Sequence, residues 1–303
     1  MNTFISTIIT GTANGAIFAL AALGLVIVWR GAGVVNFAQM GQAMFSTYIA
    51  STLIQNGNSY WVGFFVALFA GAALGALLDV LVMRPLSNKK KTELLSSESM
   101  RAAIPVIASL GILGVLQALA GIIWAAEERG FPAPAAQEGF TVAGSVMPFT
   151  SFDVFVISIV LITLTMTTIF FKKTGVGLAM RATALNQEVA RLSGIRTNFT
   201  RTLSWAISGA ASSLAGLLIT PTSNLSPNTL DLVLIIGFTA AVVGGLDSPA
   251  GAVLGGFIVG LVISFVTFYL SPEDVFISIL AVLLIVLIVK PRGILGGKDS
   301  RRV

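Results

Sequence analysis

A chain of 303 residues that is 55% apolar and only 10% charged has too little polar material to face water over a fold of that size, because soluble domains carry about 25% charged residues. Its mean hydropathy of +0.93 makes the lipid bilayer the consistent solvent. The net charge of +5 therefore bears on which side of a membrane the loops face, not on nucleic acid, and the absence of Cys and His excludes disulfides, thiolate chemistry, imidazole bases and His-ligated metals.

Taken in chain order, nine apolar segments are long enough to span a bilayer or nearly so, near 4–28, 34–54, 60–83, 103–125, 152–171, 203–219, 231–245, 250–270 and 275–290. The first has no Lys or Arg before Arg30 and is too long for a secretory signal, so it reads as a spanning helix. The seventh and ninth are short, which predicts tilted, broken or re-entrant pieces. The fold class expected is an all-α integral membrane protein, a polytopic bundle of about 8–10 helices forming one transmembrane domain over 1–303.

Basic residues cluster in three places. Arg84, Lys89, Lys90, Lys91 and Arg101 lie in the loop 84–101, six more lie in 172–201, and Lys290, Arg292, Lys298, Arg301 and Arg302 form the tail 290–303. The loops around 55–60, 126–151, 220–230 and 271–274 hold one basic residue, Arg129. Nine crossings then place the N-terminus outside, the C-terminus in the cytoplasm, and every basic cluster on the cytoplasmic side. Asp79, Arg84, Asp153, Asp231 and Asp247 fall at predicted segment ends, leaving the membrane interior uncharged. A carrier without ionisable groups at depth draws its energy from elsewhere or is a passive pore. Glycines four apart (Gly11/Gly15, Gly71/Gly75, Gly251/Gly255, Gly256/Gly260) predict close helix packing, more readily within one chain than across a dimer.

No catalytic constellation is present. Gly296-Gly297-Lys298-Asp299 lacks the upstream glycine and the hydroxyl residue of a phosphate loop, and Gly175-Val176-Gly177 lacks the rest of a dinucleotide fingerprint. Glu127, Glu128 and Glu138 read as solvated loop carboxylates. Asn36, Gln39 and Gln42 are spaced to share a helical face and must find partners away from lipid. Either they bond between helices or they line a polar path for a small solute. Asn14 and Gln117 read as packing amides, Asn14 being the weaker candidate for the path.

The stretch 172–201 is different in kind. Thr174-Gly175 breaks the fifth spanning helix, and GLAMRATALNQEVARLSGI then reads as one amphipathic helix. Leu178, Ala182, Leu185, Val189 and Leu192 form its apolar stripe, Arg181, Asn186, Glu188 and Arg191 take other faces, and Gly194 ends it. Such a helix can rest on anionic headgroups, lie solvated in a loop, or dock into a groove of a soluble partner.

Residue order narrows these readings. Glu188-Val189-Ala190, three residues and Gly194 resemble the E-A-A-three-residues-G signature of ABC importer permeases, with Val in place of the middle Ala and without the downstream I-x-L-P. GTANGAIFALAALGLVIVWRGAGVVNFAQMGQAMF, TGVGLAMRATALNQEVARLSGI, GFTAAVVGGLDSPAGAVLGG and KPRGILGG resemble, in order, blocks of the branched-chain amino acid permease family of the LivH type. That resemblance implies a bacterial plasma-membrane importer. In it, two related permease chains form the path, two cytoplasmic ATPases consume ATP and Mg, and an extracytoplasmic binding protein delivers solute. This chain would bind no cofactor itself. Arg181, Asn186, Glu188, Ala190 and Gly194 are implied as coupling residues. Glu127, Glu128 and Arg129 are candidates for meeting the binding protein. Urea or short amides are the alternative cargo, and a passive channel or an ion-coupled carrier are the alternative mechanisms.

Overall fold

The computed structural model describes residues 3–86, 98–142 and 145–296. Each of the nine predicted segments is a helix. In chain order these are α1 (Thr3–Ala32), α2 (Gln39–Gln55), α3 (Tyr60–Leu78), α4 (Glu98–Trp124), α5 (Ser151–Lys173), α8 (Thr197–Ser223), α9 (Asp231–Gly244), α10 (Pro249–Tyr269) and α11 (Val275–Val289). Between α5 and α8 lie α6 (Gly175–Leu185) and α7 (Gln187–Leu192). Among the described residues, seven helical spans are long and apolar enough to cross a membrane, while α2 and α9 are shorter, at 17 and 14 residues. Lys89, Lys90 and Lys91 of the first basic loop, and Lys298, Arg301 and Arg302 of the tail, lie outside the described residues.

Three boundaries depart from expectation. The helix at 34–54 begins only at Gln39, because Gly33 takes a left-handed φ of +70° and ends α1. α3 does not stop at 83. A π-helical turn at Asp79–Met83 and a last turn at Arg84–Leu86 extend it to a span of 27 residues. The loop 126–151 of this helical chain contains a short antiparallel hairpin, β1 (Gly139–Val142) with β2 (Ser145–Thr150).

The chain divides into two compact units. The first comprises residues 1–26, 133–168 and 235–303. Within it α1 and α10 approach closely: a Cβ on Gly15 would lie 2.9 Å from Phe257 Cα, and one on Gly256 would lie 2.3 Å from the Ala19 nitrogen. α10 meets α9 the same way, Gly255 against the Ala240 carbonyl. The four-apart glycines here therefore serve packing within the chain.

The second unit comprises residues 27–132 and 169–234, with α2, α3, α4 and α8 at its core. α3 and α8 touch backbone to backbone. A Cβ on Gly75 would sit 2.1 Å from the Trp205 carbonyl oxygen, and one on Gly71 would sit 1.7 Å from Ser213 Oγ. The Ser46 hydroxyl donates to Ser213 Oγ at 2.7 Å, tying α2 to α8. Trp124 stacks on Tyr48 and donates its indole N–H to Thr52, tying α4 to α2.

Candidate functional site

The expected single helix over 178–194 is two helices. Asn186 interrupts it with extended backbone (φ −156°, ψ 107°), and its Oδ1 accepts from the N–H groups of Glu188 and Val189 at 3.0 and 3.1 Å. Asn competes for backbone donors more effectively than it supports a helix interior, so it caps α7 and ends α6. Glu188 lies in the first turn of α7, where the helix dipole favours a carboxylate. α7 closes in a Schellman motif: Gly194 N–H donates to the Arg191 carbonyl and Ile195 N–H to the Ala190 carbonyl, both at 3.0 Å. Gly194 has φ +82°, and a Cβ there would meet nothing within 4 Å. Glycine is needed at this position for its backbone conformation, not to avoid a clash.

The large residues of the apolar stripe face outward on both helices. Leu178, Leu185, Val189 and Leu192 are 59%, 82%, 56% and 89% exposed. The inward side is made instead by Met180, Thr183 and Ala190, all buried. Arg181 is half-buried and is not part of the exposed apolar face. Two hydrogen bonds anchor this pair of helices to the start of α8: Thr183 with Thr200 at 3.2 Å, and Arg191 Nε to Thr197 Oγ1 at 2.8 Å. At the other end, Thr174 Oγ1 accepts from Gly177 N–H and donates to the Phe170 carbonyl.

Beneath this surface lies a charged cluster that joins Asp79 and Arg84, expected at a segment end, to Arg201 of the basic stretch 172–201. Asp79 is fully buried. Arg201 Nε lies 2.8 Å from its Oδ1, and the Thr202 hydroxyl donates to its Oδ2 at 2.5 Å. Arg84 lies 3.7 Å from Oδ2 and donates to Thr202 Oγ1 at 2.6 Å and to the Asn198 carbonyl at 3.4 Å. Asp79 is 19 residues beyond the start of α3, about 28 Å along its axis at 1.5 Å per residue. The carboxylate is thus buried in protein toward the C-terminal end of the apolar span Tyr60–Leu86.

The amides behave unequally. Asn36 lies in the turn before α2, so it is not on one helical face with Gln39 and Gln42. All three are fully buried. Both polar atoms of Asn36 and of Gln42 lack a hydrogen-bond partner among the described residues. The buried hydroxyls of Ser46, Thr47, Ser212 and Thr220 donate to helix carbonyls. Gln42 Oε1 faces Gly209 of α8. Gln117 donates to Asp231 at 2.7 Å, as expected of a packing amide. Asn14 is half-buried in α1, in the first unit.

In the loop after α4, Arg129 is half-buried, pairs its backbone with Leu225 and donates its guanidinium to the Trp124 carbonyl. Glu127 and Glu128 remain exposed. Among the described residues no group of three or more His, Cys, Asp or Glu side chains is placed to hold a metal ion.

Residues 7–289 match the family model described as the permease component of branched-chain amino acid transport systems. A probable branched-chain amino acid transport permease LivH of Methanocaldococcus jannaschii is 31% identical over 290 residues, covering 92% of this chain and 89% of that one. The high-affinity branched-chain amino acid permease LivH of Escherichia coli K12 is 28% identical, covering 99% and 98%. A fructose import permease, FruF, of Bifidobacterium longum is 25% identical over 84% of this chain and 68% of its own. No solved structure matches. A polytopic helical chain that matches the model over nearly its whole length is a member: this protein belongs to the permease-component family of branched-chain amino acid transport systems.

Proposed function

We propose that the chain is the permease subunit of an ATP-driven importer in a prokaryotic plasma membrane, carrying branched-chain or similar small amino acids by alternating access. The observation that carries this reading is the α6–α7 surface. Four large aliphatic side chains project from two short, capped helices anchored to a membrane-crossing helix. Exposed apolar groups at such a point mark a docking site, and their burial contributes roughly 25 cal/mol per Å2. The partner is a cytoplasmic ATPase pair, which supplies the hydrolysis. The 172–201 loop and the basic tail then face the cytoplasm. A second, related permease chain completes the path, and an extracytoplasmic binding protein delivers the solute.

Asn36 and Gln42 are assigned to the solute path. A buried amide left unbonded costs about 1–3 kcal/mol, which a passing polar solute or its water would relieve. The names of the relatives support an amino acid as cargo. Coupling to an ion gradient is disfavoured, because the buried Asp79 carboxylate is already ion-paired to Arg201.

Proteoliposomes containing the permease pair, with and without the ATPases and the binding protein, test this reading with labelled leucine. ATP-dependent uptake only in the complete system is expected. Equal uptake without ATPases would identify a passive channel, and no leucine uptake alongside urea uptake would reassign the cargo.

A further inference from the structure

The start of α8 is a node between two parts of the molecule. From one side it is held by α6 and α7, through Thr183–Thr200 and Arg191–Thr197. From the other it is held by α3, through Asp79 to Arg201 and Thr202 and through Arg84 to Thr202 and Asn198. All five α8 positions fall in its first two turns. α3 answers this node with a π-helical turn that begins at Asp79 itself. Such turns are rare and concentrate at functional positions.

Adhesion of α3 to α8 does not require the charges. The Gly71 and Gly75 contacts already bring the two backbones together farther along. A buried ion pair is a poor adhesive, since replacing it by apolar side chains is often neutral or stabilising. What the cluster adds is direction: Asp79 is gripped at both oxygens by α8, so the end of α3 follows the first turns of α8.

We propose that Asp79, with Arg201 and Thr202, is a positioning centre for transport that relays displacement of the α6–α7 surface through the start of α8 to α3. The proposal rests on the importer reading. The relay acts through helix placement, and none of these side chains needs to touch the solute.

The test compares Asp79→Asn and Thr202→Val with wild type in the complete reconstituted complex, reading ATP hydrolysis and solute uptake in the same vesicles. Asp79→Asn keeps the shape and removes the charge. Thr202→Val removes one hydroxyl and serves if the first variant fails to assemble. Solute moved per ATP is expected to fall about tenfold in Asp79→Asn, within the usual range of coupling between sites, and by less in Thr202→Val. Hydrogen exchange gives a second readout. In wild type, trapping the ATPases with nucleotide should change exchange in both 79–86 and 187–202, whereas in Asp79→Asn the change in 79–86 should disappear. Hydrolysis and uptake falling in proportion, or an unchanged exchange response in 79–86, would overturn the relay. Absence of ATP-dependent uptake in wild type would overturn the importer reading instead.

Discussion

Arg201 Nε on α8 and Asp79 Oδ1 on α3 meet at 2.8 Å, with the carboxylate fully buried and the Arg201 side chain 11% exposed. Removing Arg201 leaves the buried carboxylate with only the Thr202 hydroxyl and the more exposed Arg84 at 3.7 Å. Arg201→Ala should therefore destabilise the permease by about 3–5 kcal/mol, whereas the double variant Asp79→Leu/Arg201→Leu should recover most of that loss. Unfolding in detergent measures both. A double variant as unstable as the single one would show that the pair contributes more than mutual neutralisation.

The exposed stripe makes the opposite prediction. Leu185 and Leu192 are 82% and 89% exposed, so Leu185→Asp/Leu192→Asp should change thermal stability little, within about 0.5 kcal/mol per site. Association with the ATPases should weaken at least about tenfold, because charged groups replace the apolar contact. Co-purification of permease and ATPases reads the loss directly. Undiminished co-purification would remove the docking surface from the proposed function.

Gly194 separates conformation from space. A Cβ there has room but must adopt φ +82°. Gly194→Ala should cost about 1–2 kcal/mol locally, and Gly194→Asn less, because Asn tolerates the left-handed region. Uptake should rank wild type, Asn, Ala, with all three at equal membrane levels by immunoblot. Equal uptake from Ala and Asn would contradict the conformational account.

Asn186 caps α7 with two backbone donors. Asn186→Ala should cost about 1 kcal/mol and Asn186→Asp much less, since a carboxylate accepts the same bonds and suits the helix dipole. Glu188→Lys sets a cation in that first turn and should weaken coupling in the same assay. Uptake per ATP is the measurement, and an Ala variant matching Asp would dismiss the cap.

For the amides, stability and transport should move apart. Asn36→Leu and Gln42→Leu remove buried groups that have no partner among the described residues, so stability in detergent should hold or rise. Uptake should fall. Falling stability with intact uptake would make both amides structural.

Much of this was legible locally. Spans of apolar residues, the break at Thr174-Gly175 and the stop at Gly194 depend on residues within a few positions of each other, and each is present, with the starts and ends of two spans displaced by a few residues. Asn186 shows the limit of that method. Helical periodicity runs straight through it, yet one side-chain oxygen reaching two donors is enough to divide the helix. Leu178, Leu185, Val189 and Leu192 are exposed on either side of that division, and periodicity alone does not choose between headgroups, solvent and a partner.

Composition, segment length and the order of basic residues sufficed for a polytopic membrane chain and a cationic, capped loop, because a bilayer tests each segment by its own length and polarity. Only the tertiary arrangement set Asp79 against Arg201, Gly75 against the Trp205 carbonyl, and Asn36 and Gln42 in a buried region without partners. Those relations join helices remote in sequence. A carboxylate at a predicted helix end is solvated or buried according to which helix packs beside it, and no local pattern encodes that neighbour.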